Sequence, residues 1–175
     1  MTSTANGLRS TLLAALTTVC ATVPAARAQD VGLPVGTVPE RVTLEDLDGN
    51  PADLAPEAGK PLLVEFWATW CPLCRALQPR LDAAYERFGE HVTFRVVAVG
   101  VNQSPRSVRR HLERHPLPYP VLWDGEGRAV RAYMTPTTSY VVILDAAGRV
   151  AYTGTGGDQE IAAALERLGG RVTPP

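Results

Sequence analysis

The residues Pro61-Leu62-Leu63-Val64-Glu65-Phe66-Trp67-Ala68 form a nearly continuous apolar run, and Cys71-Pro72-Leu73-Cys74 follows three residues later. A short apolar run of this kind is the signature of a strand buried on both faces of a parallel or mixed sheet. Beyond the cysteines the period changes: Leu77, Leu81, Ala84, Tyr85 and Phe88 recur at three- and four-residue steps until Gly89 ends the pattern, which reads as a helix. A buried strand therefore feeds directly into a helix, with two thiols at the junction.

The rest of the chain extends this unit. Arg41 to Leu47 alternates apolar and polar positions before the turn signal Asp48-Gly49-Asn50-Pro51, which predicts an N-terminal hairpin. Val92 to Val101 reads as a second central strand, rich in β-branched residues. Ser104-Pro105 opens a helix running to about His115, with Ser as N-cap and Pro at the first helical position. Tyr119 to Trp123 predicts a short strand and Glu126 to Tyr133 a short helix. Tyr140 to Asp145 and Arg149 to Thr153 flank Ala146-Ala147-Gly148 as a closing hairpin. Asp158 is the expected cap of a last helix carrying Ile161, Ala164, Leu165 and Leu168 on one face. Strands alternating with helices imply parallel pairs and crossovers, and the closing hairpin adds antiparallel strands. The expected class is α/β, a mixed sheet covered on both faces.

Composition narrows the function. Of the 175 residues 45% are hydrophobic and 20% charged, as in one ordinary globular domain. The 17 basic residues, all Arg except Lys60, are interspersed with 18 acidic ones, so no surface for nucleic acid is evident. Residues 1–28 read as a secretory signal: Arg9 in a basic n-region, Thr11 to Val23 as the apolar segment, and Ala26-Arg27-Ala28 as a small-x-small cleavage site. The apolar stretch, about 13 residues, falls short of the roughly 20 that span a bilayer, although an uncleaved N-terminal tether is the competing reading. Val19 before Cys20 argues against lipid attachment. Cleavage leaves one domain from Gln29 to Pro175 and removes Cys20, so that two of the three cysteines, Cys71 and Cys74, remain for an oxidising compartment.

Helical spacing puts the α-carbons of such a pair roughly 5 to 6 Å apart, within reach of a disulfide. At a helix N-terminus, free N–H groups and the macrodipole favour a thiolate on Cys71, the expected nucleophile, with Cys74 as the resolving thiol. Pro72 suits the first turn, where its missing N–H is not needed. Half of a zinc site would need two more ligands, and no second cysteine pair exists. A static disulfide closing so small a loop would stabilise little. Glu65 lies in the middle of the buried strand, where desolvation raises a carboxyl pKa and makes it a proton acceptor for a buried thiol; a surface groove or an Arg partner is the alternative. His111 and His115 stand at i and i+4, but with no third ligand nearby they read as surface residues rather than a metal site.

The segment from Val64 to Arg75 resembles the active-site segment of the thioredoxin superfamily, in particular its TlpA/ResA-like exported thiol-disulfide oxidoreductases. The resemblance covers nearly all of the mature chain and includes an insertion at about 104 to 133. It implies a thioredoxin fold, dithiol–disulfide exchange without a cofactor, and exported protein disulfides or dithiols as substrates. It further implies a membrane electron-transfer partner and a periplasmic location. Glu65 matches the buried Asp of thioredoxins. Trp67 and Trp70 would wall the site. Apocytochrome c motifs and copper-site cysteines are the substrate types this resemblance suggests.

Two departures stand out. Relatives often carry Glu six residues after the first cysteine, where this chain has Leu77. Thr135-Pro136-Thr137-Thr138 resembles the family signature around a groove proline held in cis, yet Pro136 stands twelve residues before Gly148; the usual spacing, about nine, falls on Ser139. Either the chain bulges to bring Pro136 opposite Cys71, or Ser139 takes the groove position; the rarity of cis bonds without proline favours Pro136. The rivals are the same chemistry run as a dithiol oxidase, a peroxiredoxin-like peroxidase, against which the C-x-x-C spacing argues, and a Sco-like copper metallochaperone, whose pattern is C-x-x-x-C.

Overall fold

The computed structural model describes residues 1–2, 32–57 and 59–169. The predicted signal segment, its cleavage point and Cys20 lie outside these. The described elements are β1 (Thr43–Asp46), β2 (Pro51–Asp53), β3 (Leu62–Trp67), α1 (Pro72–Phe88), β4 (Thr93–Val99), α2 (Pro105–Leu112), β5 (Val121–Asp124), α3 (Arg128–Ala132), β6 (Tyr140–Leu144), β7 (Val150–Gly154) and α4 (Ile161–Gly169). The strands form one seven-stranded sheet in the order β2-β1-β5-β4-β3-β6-β7.

The apolar run becomes β3, buried throughout and second to none in pairing: it lies parallel to β4 from Leu62↔Thr93 to Trp67↔Ala98 and antiparallel to β6 from Leu62↔Leu144 to Phe66↔Tyr140. β4 and β5 are also parallel, while β6 and β7 form the closing antiparallel hairpin, so the sheet is mixed as expected.

Strand pleating assigns β3 two faces. Leu63, Glu65 and Trp67 share one with Phe94 and Val96 of β4; Phe94 meets Tyr85 of α1 edge-on, so this face lies under α1. Phe66, on the other, packs against Tyr133 and Tyr140.

α1 begins where predicted, with Pro72 at its first turn and Leu77, Leu81 and Ala84 buried against the sheet. Pro79 lies inside it and cannot donate to the carbonyl one turn back. Ser104 caps α2 in a reciprocal pair with Ser107. Asp158 is not a cap: α4 starts at Ile161, and the preceding loop is instead held by Gln159, whose Nε2 donates to the carbonyls of Ser139 (2.9 Å) and Gly156 (2.8 Å).

Candidate active site

The tight turn after β3 sets the first cysteine. The Cys71 N–H donates to the Ala68 carbonyl (3.1 Å), and Gln103 clamps the segment to the end of β4 by accepting from the Thr69 N–H (3.0 Å) and donating to the Val99 carbonyl (2.7 Å). Cys71 then occupies the N-cap of α1, its Sγ accepting the backbone N–H of Cys74 at 3.0 Å. Cys71 and Cys74 are joined as a disulfide with α-carbons 5.3 Å apart, within the range expected from helical spacing. No acidic residue stands in the first turn of α1, so when the bond is reduced a negative charge on Cys71 Sγ faces N–H groups and the positive end of the helix without local opposition.

Both cysteines are nearly buried, whereas Pro72 and Leu73 between them are exposed. Trp70, 44% exposed, is tied back by its Nε1–H to the Val101 carbonyl at 2.8 Å. Trp67 is buried and meets His111 edge-on at 5.4 Å. A cleft of about 610 Å³ runs alongside, lined in part by Trp67, Cys71, Arg75, His111, Arg114 and His115.

Glu65 sits fully buried on the α1 face of β3, and neither carboxyl oxygen has a hydrogen-bond partner among the described residues. Burial, reinforced by the charge of Asp82, pushes its pKa up from 4.5 to about 8. Gln78 Nε2 donates to Asp82 (2.7 Å) and to the Tyr119 hydroxyl (2.7 Å), and the Tyr119 O–H reaches Asp82 at 3.4 Å. Burial, then the neighbouring Glu65, holds Tyr119 above the ordinary tyrosine range. Sequence reasoning found Glu65 but missed Gln78, Asp82 and Tyr119; amphipathic spacing on α1 marks the first two only as polar. Leu77, where relatives often carry Glu, is wholly buried in the core.

The loop before β6 carries both candidates for the groove position, Pro136 and Ser139. No peptide bond among the described residues is cis, and Pro136 stands exposed in the connection between α3 and β6. Thr135 is half-buried, its Oγ1 enclosed without a hydrogen-bond partner among the described residues. Ser139 instead enters β6, fully buried and with φ +62°, and its N–H donates to the Phe66 carbonyl at 2.8 Å. Proline has no N–H for that bond, which gives a physical reason for a residue other than Pro136 at the strand entry. Ser139 Oγ accepts from the Gly156 N–H (3.1 Å), and a Cβ on the neighbouring Gly157 would lie 2.6 Å from Ala76 Cβ, so this loop abuts α1.

His111 and His115 have their rings 4.8 Å apart, and among the described residues no group of three or more His, Cys, Asp and Glu side chains is arranged to hold a metal ion.

The chain is 28% identical over 117 residues to the thiol-disulfide oxidoreductase ResA of Halalkalibacterium halodurans, covering 67% of this chain and 66% of that protein. It is 27% identical over 136 residues to ResA of Geobacillus thermodenitrificans, covering 77% and 78%. The first of these relatives is thus matched over just under two thirds of its length. The crystal structure of the thioredoxin domain of a thiol-disulfide oxidoreductase from Bacteroides vulgatus superposes with a TM-score of 0.68 at 22% identity, over 78% of this chain and 98% of that one. That likeness makes the fold thioredoxin-like. The Redoxin family model matches residues 23–168, so the chain belongs to the Redoxin family.

Proposed function

We propose that this protein is an exported thiol-disulfide oxidoreductase that reduces disulfides in other exported proteins, of the kind matured in cytochrome c or copper-site assembly. The single observation that carries the reading is the placement of Cys71 Sγ, which caps α1, bonds to Cys74 and lines an open cleft. The ResA relatives and the reading of residues 1–28 as a signal support it.

In the reduced protein the Cys71 thiolate attacks one sulfur of the substrate disulfide, forming a mixed disulfide and releasing the first substrate thiolate, which takes a proton. Cys74 gives its proton to ionised Glu65 and attacks Cys71 Sγ. The Cys71–Cys74 disulfide forms, and the second substrate thiol leaves. Two electrons have passed from protein to substrate, and a membrane electron-transfer partner restores the dithiol. Trp70, Pro72, Thr135 and Pro136 are the groove residues of this reading, and the fully buried Ser139 anchors the loop before β6 rather than meeting substrate.

Equilibration of residues 29–175 in glutathione buffers tests the direction. A potential near −250 mV or lower is expected, whereas one near −120 mV would make the protein an oxidase. Cys74→Ala should accumulate mixed disulfides with its substrates through Cys71; a variant that traps none would remove the reductase reading.

A further inference from the structure

The cleft beside Cys71 has a charge pattern that dithiol exchange does not require. Arg75 reaches it from the first turns of α1, and His111, Arg114 and His115 reach it from the end of α2 and the segment after it. No Asp or Glu is among its lining residues. Among the other described arginines Arg80, Arg87, Arg95, Arg109 and Arg128 are ion-paired, while Arg41, Arg106, Arg110, Arg131, Arg149 and Arg167 are not. What sets this cleft apart is that its basic groups share one concavity with no acid in its lining. Arg75 and Arg114 have no ion pair among the described residues, where the one side-chain hydrogen bond of Arg114 runs from Nε to the Arg110 carbonyl, at 3.4 Å. The cluster also repels itself, since His115, Arg114 and Arg75 add to burial in holding His111 below the ordinary histidine value. Gathering cations around a cleft without a counter-charge raises the energy of the free protein, and an incoming carboxylate relieves it. Trp67, Pro79, Pro116 and Leu117 supply apolar wall between the charges, which suits a polypeptide more than a bare ion.

We infer that this cleft recognises an acidic stretch of the substrate polypeptide next to its disulfide, with Arg75 and Arg114 receiving the carboxylates while the cystine meets Cys71. The inference rests on the proposed reductase function and adds the substrate class to it. Arg presents a planar fork that matches a carboxylate, and the partly enclosed site screens the pair less than open water would.

The test uses reduced protein and three cystine peptides identical except for Glu, Gln or Lys beside the cystine, with hydroxyethyl disulfide as a small neutral substrate. kcat/KM for the Glu peptide should exceed that for the Lys peptide about tenfold at low salt, and the ratio should shrink toward one at about 1 M salt. Arg114→Glu should invert the ratio. Arg106→Glu, an equal change of net charge on an exposed residue outside the cleft lining, should leave it as in the wild type. A wild-type ratio near one, or equal effects of the two charge reversals, would overturn the inference. Failure to reduce hydroxyethyl disulfide would instead count against the reductase reading itself.

Discussion

On one face of β3, Phe66 packs between Tyr133 and Tyr140 with ring centroids 5.6 and 5.9 Å away, and the polar tips of both tyrosines are satisfied. Tyr133 donates to the Leu54 carbonyl at 3.0 Å, and Tyr140 accepts the Leu33 N–H at 3.0 Å. On the other face, one residue earlier, Glu65 is equally buried with no hydrogen bond to either oxygen among the described residues. Both faces exclude water and bury apolar side chains, but on the first the polar atoms that go in with them are hydrogen-bonded. The second keeps a costly carboxyl under the redox helix, a local breach of packing rules of the sort that concentrates at sites of chemistry.

The largest expected effect breaks the cohesive face. Phe66→Ala should destabilise the fold by about 3 to 5 kcal/mol in chemical denaturation. Its pH–rate profile should keep the wild-type inflection; a displaced inflection would mean that the two faces are not separable.

Glu65→Gln should act in the opposite sense. The unfolded chain releases this proton near 4.5, whereas the folded protein holds it to about 8. The stability contributed by the bound proton is therefore complete below 4.5 and is lost as pH rises to about 8. Gln does not titrate, so the variant should gain about 3 kcal/mol over the wild type at pH 7 and nothing at pH 4. Resolution of the mixed disulfide should slow severalfold near pH 7, and the wild-type rise in rate toward pH 8 should disappear. An unchanged pH–rate profile would rule out Glu65 as the proton acceptor for Cys74.

The smallest effect sharpens the contrast. Tyr133→Phe removes one satisfied hydrogen bond from the cohesive face and should cost about 1 kcal/mol in denaturant titration, with turnover unchanged at every pH. A loss of turnover would show that this face also contributes to the reaction.

The local parts of this arrangement could be read directly from the chain. The apolar run, the cysteine pair and the helical period after it specified β3, the capped thiol and α1, because each depends on neighbours within a few residues. Glu65 stood out for the same reason, as an acid in an apolar run. The surroundings of Glu65 were not legible: Tyr119 lies far along the chain, and only the parallel crossovers bring it beside Gln78 and Asp82. His111 and His115 appeared as a surface helical pair because the cleft they share with Arg75 is lined by residues far apart in the chain, from α1, from α2 and from the segment after it. Ser139 was visible only as a spacing mismatch, since its role at the entry to β6 depends on a carbonyl in β3.

The double pairing of β3 also sets where this chain can change length. Ladders to β4 on one side and β6 on the other fix its register. Deleting one residue within it would exchange the two faces, turning the carboxyl toward the tyrosines and bringing an aromatic ring beneath the cysteines. Insertions and deletions in this lineage should therefore accumulate in the surface connections, while these six positions keep their number even as their apolar identities drift.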